Sequence, residues 1–509
     1  MFTLYLWYDR MGTIYRSGFQ NGMRMERTYF QCALDYEAIM NTFMTWGLRI
    51  SIVTYTILHF FTSFFEIDLF ISLLSFVGIA LFIFSIFYIS ITKFKLPLFI
   101  LSIGVLILLF ANHSLLEGIL EGMLLMRGMV GFLVIIPLIS WVLREEPYIE
   151  DIMAVFHRFI NTSCKFYLSV AAFTQVIAYF LLFGSIPMMY QFVNIILKDQ
   201  TTEVWENFKG TALLRGFSLS TMWVISIPSF IFAVETLGAS LWIAILQGVG
   251  ISVIGVILAA IFAHFTEKRY GVDLTPTLQE NIKQVLKNAS HKKVRKKKVI
   301  EFFCLFVSLF GTIFLIHGLF QIPLMLVIPI VIIVWIITFY VIKKKANKLF
   351  NVGKEFFHKD MLGQTYQLNI MLAVGVLIYG LRQTEFATVV VDGLNVMQKQ
   401  FPIINPLFLL PFIVIILGLF GLGPLTVMVL VAGILGSMNL PYPPELIVLA
   451  VTSGSVISTL ISPVIMPVIV LSGSNGLSLF TNGVKFNWKY AIAFYFFVQI
   501  YLQTMSLIW

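Results

Sequence analysis

The sequence predicts an all-α polytopic membrane protein of about 10–14 transmembrane segments, built as two inverted repeats that each contain a broken or re-entrant segment. Three observations lead there. Of 509 residues, 59% are hydrophobic and 12% charged, with a mean hydropathy of +0.93; soluble domains lie nearer about 45–50% and about 25%. Several apolar runs exceed the roughly 18 residues that mark a membrane-crossing helix. Two apolar stretches, 215–229 and 448–476, are interrupted by glycine, proline and hydroxyl residues, as in a helix that unwinds where protein or solute replaces its lost bonds.

Taken in order, residues 1–45 are polar and mix Arg10, Arg16, Arg24 and Arg27 with Asp9, Glu26, Asp35 and Glu37. They contain no apolar core of a secretory signal, so a cytoplasmic, interfacial segment is expected and the first span does the targeting. Appended spans are expected within 46–112, at about 46–65, 69–91 and 96–112, followed by one at 119–142. The loop 143–165 is charged but balanced in sign. Apolar segments resume at 166–197, 213–236 and 238–264. The linker 266–299 carries ten Lys and Arg residues against three acids, which places it in the cytoplasm. Spans at 300–318 and 321–342 form a hairpin back to a second basic loop, 343–360, with six lysines. The remaining spans are expected at 364–381, 405–420, 421–438, 444–472 and 489–508, with polar interruptions at 382–404 and 473–488.

Counting crossings from a cytoplasmic N-terminus leaves the linker 266–299 outside if every apolar segment spans once. One segment must therefore return to its own side or be split. The candidates are 213–236, and 166–197, which is long and carries Gly184 and Pro187.

The centre of the chain is the stretch 448–476. Pro463 and Pro467 lack the N–H a helix needs, so the carbonyls of Thr459 and Pro463 lose their helical partners. A counterpart lies at 215–229 (RGFSLSTMWVISIPS), where Gly216, Ser220 and Thr221 match Gly454, Ser458 and Thr459 at a constant offset. The repeats implied are 115–265 and 360–509.

Two such halves resemble the ion transporter superfamily, which includes the large permease subunits of TRAP transporters and the citrate, dicarboxylate and gluconate carriers. The run 421–438 (GLGPLTVMVLVAGILGSM) followed by 448–476 is the closest local match. The resemblance implies Na⁺ and substrate carboxylate held at Ser-Asn-Thr turns. Here Ser458 and Thr459 adjoin without an intervening Asn, which departs from that pattern. It also implies a small accessory subunit of the kind TRAP permeases require.

The site residues expected are Gly216, Ser220, Thr221 and Ser226 in one half and Gly454, Ser455, Ser458, Thr459 and Ser462 in the other, with Ser218 and Ser453 adding hydroxyls. Half-helix N-termini favour anions, while hydroxyls and unwound carbonyls suit Na⁺. Against this, each hydroxyl singly has the alternative of bonding back to its own helix. Arg215 and Glu235 are the candidate charge partners, since ionisable groups at membrane depth are functional by default; for Arg215 the alternative is snorkelling at the interface. Glu117, Glu121 and Arg127 read as a segment-end salt bridge, and Arg382, Glu385 and Asp392 as a solvated connection.

Cys32, Cys164 and Cys304 are too far apart for a metal or redox motif and are expected to be buried and inert. No nucleotide-binding, zinc-protease or serine-hydrolase signature is present, so neither an enzyme nor a cofactor is expected. The net charge of +9 sits in loops beside spans and does not indicate nucleic acid. The function expected is a secondary transporter in a plasma membrane, that of a bacterial cell, moving a small solute such as an organic anion with Na⁺ or H⁺. Its partners are the lipid bilayer, the solute and, where it oligomerises, copies of itself. The rival reading is an integral-membrane transferase acting on lipid-linked substrates, such as a glycan polymerase or ligase.

Overall fold

A computed structural model describes residues 22–145, 148, 162–197, 200–271, 273–276, 278–280, 292–400 and 405–509. The expectations for residues 1–21, for most of the loop 143–165 and for 281–291 lie outside them. Among the described residues every regular element is helical and there is no strand. Among the described residues eight helical stretches are long and apolar enough to cross a membrane, nine if the bent pair Ala346–Gly363 and Thr365–Arg382 is one span. With the shorter apolar helices Lys95–Phe110, Pro406–Leu419 and Pro424–Leu435, they make the all-α polytopic membrane protein expected.

The first helix, α1, runs Gly22–Phe64, so regular structure begins well before the span expected at 46. α2 (Asp68–Tyr88) and α3 (Lys95–Phe110) follow. The span expected at 119–142 is divided into α4 (Leu115–Leu125), α5 (Arg127–Ile135), a 3₁₀ turn that takes in Pro137, and α6 (Ile139–Arg144). No ion pair joins Glu117, Glu121 and Arg127 among the described residues; both acids are exposed. Cys164 is half-buried and Cys304 exposed, so neither is the buried thiol expected.

α7 (Ser163–Leu181) and α8 (Ser185–Leu197) are joined by a turn at which Leu182 takes φ +49°. Then come α9 (Glu203–Ser220), α10 (Pro228–Thr236) and the 30-residue α11 (Leu241–Tyr270). α12 (Lys292–Phe320) and α13 (Leu324–Ile342) form the expected hairpin. The basic loop 343–360 is largely helical, as α14 (Ala346–Glu355) and a π-helical turn, and leads into α15 (Thr365–Arg382). The supposed polar interruption 382–404 holds a further helix, α16 (Phe386–Gln400). The chain closes with α17 (Pro406–Leu419), α18 (Pro424–Leu435), α19 (Pro444–Ile461), α20 (Met466–Asn475) and α21 (Phe486–Ile508).

Helix α15 packs against α3 and α4 through small residues. A Cβ on Gly104 would lie 2.8 Å from the Leu377 amide nitrogen, and one on Gly122 would lie 2.5 Å from Val376 Cα. In a bilayer, where apolar side chains gain nothing by leaving lipid for protein, such close backbone approach is a main source of helix association.

The basic loop 343–360 is tied to several helices. Lys343 pairs with Glu301 of α12 at 2.5 Å, and Lys345 and Lys348 pair with Glu145, just beyond α6, at 3.2 and 2.8 Å. Arg49 of α1 donates to the His358 carbonyl at 2.8 Å. α1, α12 and the end of α6 are thus tied to the basic loop 343–360.

Candidate functional site

The two interrupted stretches are broken where proline demands it. α9 ends at Ser220 and α10 begins with Pro228, leaving 221–227 unwound. α19 ends at Ile461 and α20 carries Pro467 in its first turn, leaving 462–465 unwound. Proline is tolerated in a first turn because that N–H has no helical partner anyway.

The broken helices enter from opposite faces. Helix α11 supplies the ruler. Its start lies beside α19, where Ser240 N–H donates to Glu445 at 2.8 Å. Its far end lies beside α9, where Tyr270 donates to Glu203 at 3.3 Å. Glu203 and Glu445 are both first-turn residues, so α9 starts at the end of the bundle where α11 finishes and α19 at the end where α11 begins.

Each broken helix is accompanied by a hairpin that returns to its own face. Beside α9, Tyr167 of α7 donates to Thr211 at 3.2 Å and the Tyr179 carbonyl accepts from Ser226 at 2.5 Å, so the two run together. The chain then reverses. Tyr190 of α8 donates to Glu206 at 3.0 Å, and Asn194 accepts from Lys209 at 2.6 Å. Segment 163–197 is long enough to span, yet it folds back. The segment 213–236, the other candidate for irregular passage, is instead a broken span that begins at 203. In the second half Asn405, at the start of α17, donates to Gln503 near the end of α21 at 2.6 Å, while the Gly418 carbonyl accepts from Ser462 at 2.9 Å. Gly421, at φ +89°, supplies the left-handed turn, and α18 returns to the end where α19 starts, where Gly436 lies against Thr236.

The packing is reciprocal. α10 packs on α18 and α20 on α8; α9 packs on α20 and α19 on α10; and α9 and α19 pack on each other. Gly216 and Gly454 occupy matching crossings. A Cβ at 216 would stand 2.5 Å from the Ala171 carbonyl oxygen, and one at 454 would stand 2.7 Å from that of Pro411. Ser226 and Ser462 also match, each tying its break to the end of the first hairpin helix.

The remaining hydroxyls divide sharply. Ser220, Thr221, Ser453 and Ser458 bond back to carbonyls one turn earlier on their own helices. Ser218 on α9 and Ser455 and Thr459 on α19 have no partner among the described residues, although their exposures are 0, 1 and 0%. Ser455 and Thr459 are four residues apart and share one face. Buried polar groups nearly always have partners, which makes these three hydroxyls, on two contacting helices, the candidates for binding a solute or ion.

No protein-family model matches the chain, and no curated protein matches it.

The charged residues around the breaks behave differently from expectation. Arg215 is 3% exposed and does not snorkel. Its guanidinium donates to Asn487 at 2.9 Å, Tyr167 at 3.2 Å, and the Phe486 and Ala259 carbonyls at 3.1 and 3.3 Å, and it lies 4.5 Å from the Tyr490 ring centroid. All these acceptors are neutral, and no carboxylate among the described residues pairs with Arg215, one turn before Ser218. Glu235 does not join the breaks. Its carboxylate accepts the Met325 N–H at 2.9 Å and caps the start of α13.

Sequence reasoning missed the buried pair Glu206 and Lys209, 2.5 Å apart, with Lys209 also donating to the Gln200 carbonyl at 2.8 Å. These residues precede the expected start at 213. Their spacing of three, with Trp205 and Phe208 between and beside them, was the available sign of a buried helix.

Proposed function

We propose that the protein is a secondary transporter that moves a small solute across the plasma membrane in exchange for, or together with, Na⁺ or H⁺. The carrying observation is the pair of oppositely directed broken helices, in contact, with Ser218, Ser455 and Thr459 buried and unpartnered. Leaving a hydroxyl orphaned costs roughly 1–3 kcal/mol, a cost that is offset when a solute or ion supplies the missing bond. The reciprocal hairpins support kinship with the ion transporter superfamily, because inverted repeats around broken helices are a general construction of alternating-access carriers. Arg215 adds a positive charge beside the site and favours an organic anion as solute. The transferase alternative gains nothing here, since Glu235 and Glu445 at the outer end are engaged at helix starts.

The test is uptake into proteoliposomes across a panel of organic anions, with and without a Na⁺ or pH gradient. Gradient-driven uptake that disappears in Ser455→Ala with Thr459→Val is expected. Uptake that survives those substitutions would remove the site from the breaks. No uptake of any solute under any gradient would remove the function.

A further inference from the structure

Each broken helix begins with an acid that reaches into the other repeat. Glu203 of α9 binds Lys485 at 2.7 Å, and Lys485 is the N-cap residue of α21. Glu445 of α19 accepts the backbone N–H of Ser240 at 2.8 Å, and Ser240 is the N-cap residue of α11. The same connection is therefore made twice, once at each face: first turn of a broken helix to the start of the other repeat's long helix.

Each broken helix also crosses a hairpin helix of its own repeat at a contact that does not yield readily. At Gly216 and Gly454 the approach is backbone to backbone, against Ala171 and Pro411. A path from either face to the orphaned hydroxyls must therefore open between repeats. At the cytoplasmic end Glu203 and Lys485 are each about half exposed, with side chains 49 and 52% accessible, so water replaces either partner at little cost. At the outer end Ser240 is exposed and Glu445 half-buried. Behind the cytoplasmic contact, Arg215 holds the Phe486 carbonyl and Asn487 in the first turn of α21. The outer contact has no such second tier among the described residues.

We infer that Glu203 and Glu445 are positioning residues that set which face the break site opens to, Glu203 latching the cytoplasmic side and Glu445 the outer side. The inference rests on the transporter reading and adds to it the control of access. Neither residue touches solute. Releasing one latch shifts the balance toward its own face, and the two releases act in opposite directions. An exposed ion pair, or a carboxylate at a helix start, corresponds to a shift of about 1.5- to 5-fold.

The experiment uses the full chain with Cys32, Cys164 and Cys304 replaced by Ser and a reporter introduced as Ser455→Cys, with Thr459→Cys as a second reporter. Labelling by a membrane-impermeant maleimide is timed from each side, in right-side-out and inverted vesicles. Glu203→Gln is expected to speed cytoplasmic labelling and slow outer labelling by about 1.5- to 5-fold. Glu445→Gln is expected to do the reverse. The exchange Glu203→Lys with Lys485→Glu restores the original rates, which a merely structural role would not produce. Shifts in the same direction, no shift in either variant, or no labelling of either reporter from any side would overturn the inference. If the rates split as expected while the solute screen finds no uptake, the latches stand and the transporter reading falls. If uptake is gradient-driven while labelling is unmoved, the latches fall alone.

Discussion

Alanine at Gly216 and at Gly454 tests whether the hairpin-to-broken-helix crossings are as tight as the structure has them. In an open helix, Gly→Ala gains about 1 kcal/mol through backbone entropy. Here the new methyl would stand 2.5 Å from the Ala171 carbonyl oxygen and 3.0 Å from Ala171 Cα in one half, and 2.7 Å from the Pro411 oxygen and 2.8 Å from Val414 Cβ in the other. Most of these atoms are backbone, so no rotamer change relieves the clash and the helices must part. Overpacking of this kind costs about 1–3 kcal/mol. One kcal/mol moves a melting midpoint by about 2–4 °C in a chain of 150–250 residues and by less in a longer one, so a fall of about 1–4 °C is expected for each variant. The controls are Gly311→Ala and Gly318→Ala in α12, where a Cβ meets nothing within 4 Å; these should leave the midpoint unchanged or raise it. The assay is thermal unfolding in one detergent, followed by tryptophan fluorescence and checked by size-exclusion recovery. If Gly216→Ala and Gly454→Ala behave like the α12 controls, the crossings are not as close as described and the matched packing of the two halves fails with them.

Other outcomes follow from the same contacts. Ser455→Ala and Thr459→Val remove hydroxyls with no partner, so stability in detergent should hold or rise by up to about 1 kcal/mol while uptake is lost; a fall in stability would mean those hydroxyls are bonded. Ser226→Ala and Ser462→Ala each break a bond to a carbonyl of the preceding hairpin and should cost about 0.5–1.5 kcal/mol, alike in both halves. Glu206→Gln strips the anion from buried Lys209 and should cost about 3–5 kcal/mol, seen as lost folded yield, whereas Glu206→Leu with Lys209→Met should recover much of it. Glu145 supplies a pH test. Burial works against its ionisation, but the bonds from Lys348, Tyr340 and Lys345 outweigh it and hold the carboxyl below its ordinary value. A carboxyl lowered in the folded state stabilises above its ordinary pKa of about 4.3 and loses that contribution as pH falls through the folded value. Glu145→Gln should therefore melt lower than the parent at pH 7, and the gap should close as pH drops below about 4.

The apolar character of the chain and the position of its breaks were legible in the sequence because both are local. Hydropathy is summed residue by residue, and a proline withdraws its N–H wherever it stands, so 215–229 and 448–476 announced themselves through Pro228, Pro463 and Pro467. The crossing count called for a segment that returns or splits, or for an extra or missing span near the N-terminus, but hydropathy does not distinguish a run that crosses from one that returns. Tertiary partners decided for 163–197: Tyr179 lies beside Ser226 and Tyr190 beside Glu206, on either side of a turn at Leu182. The start of α9 was hidden for a related reason. Glu206 and Lys209 look like loop residues until each is seen to neutralise the other inside the bundle.

Among the hydroxyls the division is similar. Sequence alone determined that serine and threonine crowd both breaks, and that the basic residues concentrate at 266–299 and 343–360. Only the tertiary structure decided that Ser220, Thr221 and Ser458 are satisfied by their own helices, that Ser226 and Ser462 pin the breaks, and that Ser218, Ser455 and Thr459 are left without partners. It also decided that α9 and α19 approach each other from opposite faces. Whether a donor is satisfied, and which way a helix points, depends on atoms supplied from hundreds of residues away, and no local property of the chain encodes them.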